Sequence, residues 1–369
     1  MNAKIVIATN HFNPSIGGSQ TVVEKIANFL HQNNQEVTVI TRAIKGRNLS
    51  KFKYRVREYL TSDYRSFSKI IEDIKPDVLF IYSDVFDFFR QLLTSENKSK
   101  LIIATCGSNW VYSNKSYANI FYNSYNKIHK IICHSEIDRD YKLCSSGLLK
   151  NKSIIIPNGI DIEEFDSNHQ TRDDLLPNIK NKRWVLNISN FFPGKGQEHL
   201  IDILNMLPEP ENLAYIQINS STEFAIGEAL ENSWAKKIHT KLNKKINVVH
   251  KKNINRKDVI SFLKMSNVFA FTSEKEVAPL SILESMAAKL PWVSTDVGNV
   301  KELSGGFYIP TAKNSKNHSV FDDRVNKIFA SKIQECLLKP SIADDGRLQI
   351  EKKFLWNKIL PIYMDTFLS

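Results

Sequence analysis

Val268-Phe269-Ala270-Phe271 is followed by the polar run Thr272-Ser273-Glu274-Lys275-Glu276-Val277-Ala278-Pro279-Leu280-Ser281. Ile282-Leu283-Glu284-Ser285-Met286-Ala287-Ala288 comes next, and Trp292-Val293-Ser294 closes the segment. The two outer runs are short and apolar without strict alternation, the pattern of strands covered on both faces. The run 282–288 reads as a helix. Strand, loop, helix and strand in that order make a βαβ unit, which builds parallel sheets.

The unit belongs to a series. Apolar runs at 184–189, 213–219, 246–250 and 306–309 read as further strands, with helices over 198–206 and 261–265 between them. The first half repeats the pattern. Its strands are expected at 4–9, 36–41, 77–82, 101–105, 130–134 and 153–156, and its helices at 19–32, 67–74 and 112–128. Between the two series, residues 157–182 turn polar, with Pro157-Asn158-Gly159 and Pro177. The expected fold class is therefore α/β, with two Rossmann-like, doubly wound parallel-sheet domains facing each other across a cleft. They span 1–160 and 183–351, joined by a link at 161–182. Phe354-Leu355-Trp356 to Tyr363, within 352–369, reads as an amphipathic terminal helix.

Composition narrows the classes. The chain has 369 residues, enough for two cores, and 42% hydrophobic residues, as globular proteins do. No run approaches the ~18 apolar residues of a membrane span. Met1-Asn2-Ala3-Lys4-Ile5 reads as the approach to a buried strand and not as a secretory signal, so a cytoplasmic location is expected. Lys and Arg number 50 against 39 Asp and Glu, a net charge of +11, which favours anionic partners. No cysteine pair among Cys106, Cys133, Cys144 and Cys336 has CxxC spacing, so neither a zinc site nor a redox dithiol is indicated, and no metal is expected.

Three constellations carry potential chemistry. Gly17-Gly18-Ser19 opens a helix, where close backbone approach and free amides attract anions; an ordinary turn with Ser19 as N-cap is the structural alternative. It is not a dinucleotide fingerprint, because Asn10 to Ile16 intervene after the strand and no acidic residue ends the second strand. Asn190-Phe191-Phe192-Pro193-Gly194-Lys195-Gly196 leaves the first strand of the second series, where Lys195 can place a point charge on a diphosphate. In the third, Glu276 and Glu284 flank a loop that enters a helix. Ser281 and Glu284 have capping-box spacing, so a purely structural cap is one reading. The other is a donor site: amides near Leu280 and Ser281 hold phosphate oxygens while the carboxylates accept from ribose and sugar hydroxyls.

With these motifs the chain resembles a family-4 retaining glycosyltransferase of GT-B fold, also described as a group 1 glycosyl transferase. The resemblance covers essentially the whole chain. It rests on Gly17-Gly18, Pro157-Asn158-Gly159-Ile160-Asp161 and Pro193-Gly194-Lys195-Gly196. Its most specific block is 276–284, continuing Ser285-Met286-Ala287-Ala288, Pro291 and Thr295-Asp296-Val297-Gly298. It implies that Glu284 binds the donor ribose, Glu276 contacts the transferred sugar, and Leu280, Ser281 and Lys195 bind the diphosphate. Gly17 and Gly18 would face the same phosphates, and the base would lie near 250–254, with Ile254 among its contacts. It also implies that the terminal helix crosses back onto the first domain. Two positions depart from the family pattern. Asn190 stands where Arg is usual, and Cys106, in Cys106-Gly107-Ser108-Asn109-Trp110, where His is frequent. His11 and His134 end strands on the acceptor side, where a lone His is more often structural.

The function implied is transfer of a sugar from a nucleoside-diphosphate sugar to a hydroxyl acceptor with retention, in bacterial surface polysaccharide or glycan synthesis. Lys195 and Glu276 are the catalytic candidates, with no cofactor beyond the donor substrate. The partners expected are the nucleotide sugar and a glycan or lipid-linked glycan acceptor. The basic run Lys51-Phe52-Lys53-Tyr54-Arg55 with Arg57 suggests contact with an anionic membrane at the inner face of the cell membrane. A nucleotide-sugar epimerase of the same fold is the alternative enzyme. A non-enzymatic anionic-polymer binder is the alternative class, but no aromatic-and-basic stripe points to nucleic acid.

Overall fold

Buried parallel strands need apolar residues on both faces, and the first half of the chain supplies them. In a computed structural model, β1 (Lys4–Ala8), β2 (Glu36–Arg42), β3 (Arg55–Tyr59), β4 (Val78–Tyr82), β5 (Lys100–Ala104), β6 (Ile128–Cys133) and β7 (Ser153–Ile155) form one sheet. Their order is β3-β2-β1-β4-β5-β6-β7, and every pairing is parallel. The structure describes residues 2–14, 17–44, 46–60, 64–82, 98–104, 125–138, 151–191, 194–220, 233, 235–236, 239–315 and 318–369. Most of the helix expected over 112–128 lies outside these residues.

The second half repeats the design. β8 (Arg183–Ile188), β9 (Leu213–Asn219), β10 (Asn247–Lys252), β11 (Val268–Phe271), β12 (Trp292–Thr295) and β13 (Gly306–Ile309) lie in the order β10-β9-β8-β11-β12-β13, again all parallel. Alternate side chains go to opposite faces. Trp184, Leu186, Phe269, Phe271 and Trp292 share one core with Phe262, Leu263, Ile282 and Met286 of the Arg256–Met265 and Leu280–Ala287 helices. Val185, Val268, Ala270 and Val293 face the other way, onto Leu200, Leu204, Phe329 and Ile333 of the Gln197–Asn205 and Asp323–Leu338 helices. Each fully buried side chain of this size contributes about 1.5–3 kcal/mol over leaving it in water.

The chain divides into two compact units, Met1–Asn158 with Asn357–Ser369, and Gly159–Trp356. The stretch 161–182, expected from its polarity to be a link, is built into the second unit. Phe165 and Ile179 are buried in its core. Arg172 lies 4.7 Å from the Trp184 ring centroid and donates to the Met265 carbonyl at 2.6 and 2.8 Å. The two chain passages between units run side by side. The Ile160 amide donates to the Phe354 carbonyl (2.7 Å), and the Trp356 amide to that of Ile160 (3.2 Å). A β-carbon on Gly159 would lie 2.5 Å from the Trp356 ring, so only glycine fits there.

The expected terminal helix is real but starts later. The Ala343–Lys353 helix stops, Leu355 bridges to Ile160, and a new helix runs Trp356–Leu368. From Asn357 it belongs to the first unit, with Phe367 and Tyr363 ring centroids 4.9 and 6.1 Å from that of Phe80. Strand β3 and the helices Asp323–Leu338 and Ala343–Lys353 are additions to the expected set.

Candidate functional site

Ligands of doubly wound sheets sit at the carboxyl ends of strands, where the strand order reverses. In the second sheet the reversal falls between β8 and β11. The loops leaving these strands are 189–196 and 272–279, which contain two of the three sequence constellations.

The two loops are zipped together by backbone. The Glu274 amide donates to the Gly194 carbonyl (2.9 Å), and Thr272 Oγ1 to the Gly196 carbonyl (2.7 Å). Gly196 has φ +70°, and a β-carbon there would meet the Thr272 carbonyl oxygen at 1.9 Å. This close approach brings Lys195 to Glu276: Nζ lies 2.6 Å from Oε1. Buried Ser273 donates to the same Oε1 at 2.7 Å. Both charged side chains are largely shielded, at 20% and 16% exposure, which strengthens the pair relative to a surface one. On the far side Gly298, at φ +55°, packs on Val277, where a β-carbon would meet the carbonyl oxygen at 2.4 Å.

The loop ends at the Leu280–Ala287 helix, whose N-cap is Pro279. Ser281 therefore lies inside the helix, and the capping box that its spacing with Glu284 suggests does not form. No side chain caps this end, and the Leu280 and Ser281 amides have no acceptor among the described residues. Such an end attracts anions through its free amides and the helix dipole. One turn on, Glu284 Oε1 binds Arg256 Nη1, while Arg256 Nε and Nη2 donate to Glu164 Oε2 at 3.0 and 2.9 Å. Partial burial works against the Arg256 charge, but the Glu284 and Glu164 carboxylates outweigh it and raise its pKa above the ordinary arginine value. Glu276 and Glu284 thus share a pattern: Oε1 is held by a cation, and Oε2 accepts from no described residue.

Asn190, where the family usually has Arg, serves the loop. Its Oδ1 accepts from Ser220 Oγ (3.0 Å) and its carbonyl from Gln197 Nε2 (2.8 Å). Next to it, Asn219 at the end of β9 has its Oδ1 2.6 Å from Nε2 of His250 in β10, while its buried Nδ2 has no partner among the described residues. Ile254 is half-buried against the core beyond them. Among the described residues, Glu198, His199 and Glu274 are a group whose candidate metal-ligand atoms lie within 4.8 Å of one another. Glu274 is also 2.9 Å from His318 Nδ1, and His199 stacks on Phe321 at 3.9 Å, so this group makes protein contacts of its own.

In the first unit the order reverses between β1 and β4. Gly17 and Gly18 follow β1, and Gly17 itself is the N-cap of the Gly18–Gln32 helix; Ser19 lies inside it. The Gly17 backbone is extended, a conformation open to any residue. His11 is half-buried after β1, its pKa lowered by burial and by the Arg42 charge. His134 is 1% exposed, with Nδ1 3.1 Å from the Ile156 carbonyl, a structural setting. Cys106 lies outside the described residues.

Sequence reasoning missed Arg256, Glu164 and Ser273. The available signal was Arg256 itself, directly after the N-cap Asn255, at the helix end where a cation is disfavoured.

Comparison with known proteins agrees with this fold. The glycosyl transferases group 1 family matches residues 171–340, and glycosyltransferase family 4 matches residues 16–164. The capsular polysaccharide biosynthesis glycosyltransferase CapM of Staphylococcus aureus is 24% identical over 243 residues, which is 62% of this chain and 60% of that protein. An uncharacterized glycosyltransferase of Methanocaldococcus jannaschii is 26% identical over 248 residues, 62% of this chain and 57% of that protein. The matched region thus spans less than two thirds of these relatives. Among solved structures, Anabaena HepE in complex with UDP-glucose has TM-score 0.76 at 17% identity over 100% of both chains. Sucrose-phosphate synthase from Thermosynechococcus elongatus has TM-score 0.77 at 15% identity over 99% of both. Two Rossmann-like sheets, the loops at the switch point of the second, and two family matches covering most of the chain place this protein in the family-4, group 1 glycosyltransferases of GT-B fold.

Proposed function

We propose that the protein transfers a sugar from a nucleoside-diphosphate sugar to a hydroxyl acceptor, with retention, in the assembly of a surface polysaccharide or related glycan. The carrying observation is the paired carboxylates Glu276 and Glu284, each with one oxygen engaged and one that no described residue donates to, on either side of a helix N-terminus that no side chain among the described residues caps. Hydroxyl-rich ligands need such acceptors, and a diphosphate needs the amides between them. The names of the S. aureus relative and of the Anabaena complex support the polysaccharide context and the nucleotide-sugar donor.

In this reading the acceptor oxygen bonds to the anomeric carbon while the bond from that carbon to the β-phosphate oxygen breaks. The hydroxyl proton passes to the departing diphosphate, on the same face of the sugar. Negative charge grows on the leaving group, where Lys195 and the Leu280 and Ser281 amides stabilise it. Glu276 accepts from hydroxyls of the transferred sugar, and Glu284 from the ribose. Chemistry of this design needs no metal, so transfer is expected to be unchanged by EDTA. Loss of activity on chelation would overturn that point and direct attention to Glu198, His199 and Glu274.

The deciding experiment is a thermal-shift screen of nucleoside diphosphates and their sugars, followed by a transfer assay with Glu284→Gln. The variant is expected to stay folded and to raise KM for the donor about tenfold or more, the usual loss when a charged acceptor becomes neutral. Unchanged kinetics would leave Glu284 only its ion pair with Arg256. Donor interconversion or breakdown that needs no acceptor would favour the epimerase instead.

A membrane contact belongs to the same reading. Lys51, Lys53, Arg55 and Arg57 are exposed along and beside the edge strand β3, with Leu49 and Leu60 exposed at 45% and 61% nearby. Basic and apolar groups together favour an anionic bilayer surface. Among the described residues no helix is long and apolar enough to cross a membrane. Flotation with phosphatidylglycerol vesicles but not with phosphatidylcholine vesicles is the expected result, and equal recovery with both would remove the idea.

A further inference from the structure

Arg256 is the first residue of its helix, following the N-cap Asn255. A cation there opposes the helix dipole, at a cost of about 0.3–1 kcal/mol, so helix stability does not account for it. Its guanidinium instead ties its own helix to two separate segments. Nη1 binds Glu284 in the Leu280–Ala287 helix, Nε and Nη2 bind Glu164 in the short Glu163–Asp166 helix, and the Phe165 ring centroid lies 5.6 Å from its carbon centre. Glu164 in turn lies in the segment that packs beside Arg172 and Trp184, so the clamp has a rigid base.

The consequence falls on Glu284. A carboxylate on a free side chain rotates about its last torsion and presents either oxygen. Here Oε1 is fixed on Arg256, so Oε2 keeps one direction, and no described residue donates to it. An acceptor held in one orientation discriminates between a ligand with a hydroxyl in reach and one without, because the polar group is left unpaired with the second.

We infer that Arg256, backed by Glu164, is a positioning residue that fixes Glu284 to read a ribose hydroxyl, so that the site selects ribonucleotides over their deoxy counterparts. This rests on the donor-site reading above. Arg256 touches no donor atom in this scheme and acts only through Glu284. Lysine at this position keeps the charge but not the planar fork that spans two carboxylates.

The test is isothermal calorimetry with ADP, GDP, CDP and UDP, then with the 2′-deoxy and 3′-deoxy forms of whichever binds most tightly. The wild type is expected to prefer the ribonucleotide to at least one deoxy form by about tenfold or more, one charge-assisted hydrogen bond. In Arg256→Ala that ratio falls towards one, and Arg256→Lys restores part of it. A merely structural role weakens both ligands alike and leaves the ratio intact, which would overturn the inference. Equal binding of ribo and both deoxy forms by the wild type would overturn it too. If no nucleoside diphosphate binds the wild type, the donor-site reading itself fails, a result distinct from a preserved ratio in the variant. Should Arg256→Ala not fold, as judged by Tm, Glu164→Gln carries the same test, since it loosens the clamp and leaves Arg256 and Glu284 in place.

Discussion

Replacing Lys195 by alanine is expected to lower kcat for sugar transfer by roughly 10²–10³-fold, the loss typical when one preorganised group stabilising a leaving anion is removed. Two effects act in the same direction. The ammonium that balances the departing diphosphate is gone, and of the two donors that Glu276 Oε1 has among the described residues it keeps the Ser273 hydroxyl. A largely shielded carboxylate without its cation then repels the diphosphate. Arginine should not restore the rate, because its planar fork does not replace a compact ammonium between Glu276 and a phosphate. The measurement is single-turnover transfer, with Tm recorded alongside. A folded Lys195→Ala enzyme within a few-fold of the wild type would reduce Lys195 to a loop fastener.

The second large effect concerns stability. Gly196→Ala is expected to destabilise the second unit by about 2–5 kcal/mol, the sum of a left-handed residue and an overpacked contact. Its new β-carbon would sit 1.9 Å from the Thr272 carbonyl oxygen, and backbone cannot step aside as a side chain can. The Thr272 hydroxyl bond to the Gly196 carbonyl is strained with it. Gly194→Ala is the internal control. Its φ is +93°, but nothing lies within 4 Å of the added carbon, so only the backbone preference is lost, about 1–2 kcal/mol. Urea denaturation of the two variants separates the cases. Equal losses would mean that the loop relaxes away from β11.

These loops show what a sequence conveys and what it conceals. The strands beside the switch point are legible because double burial demands apolar runs. β8 and β11 begin and end within a residue or two of where periodicity puts them. Strand β3 is not legible that way. As a sheet edge it needs little apolar surface, and Arg55, Arg57 and Glu58 read as a charged surface. The capping-box spacing of Ser281 and Glu284 is genuine, but Pro279 takes the N-cap, and the helix starts too early for the box to close. Arg256 is invisible for another reason. Its partners lie 28 and 92 residues away, and no local pattern encodes a contact that only the folded sheet brings about.

The pairing of Ile160 with Leu355, sealed by Gly159 against Trp356, also bears on how the chain is made. The first unit owns a helix that leaves the ribosome about 200 residues after the rest of that unit. Until then Phe80, the middle residue of a central strand, lacks Tyr363 and Phe367. During synthesis the amino-terminal half therefore waits with an apolar face uncovered, a state prone to aggregation and chaperone capture. The second unit is continuous in sequence and needs no later segment, whereas the helix from Asn357 completes the earlier unit. Truncation before Asn357 would accordingly injure the first unit, whose other residues are made earlier, and leave the second unit largely intact.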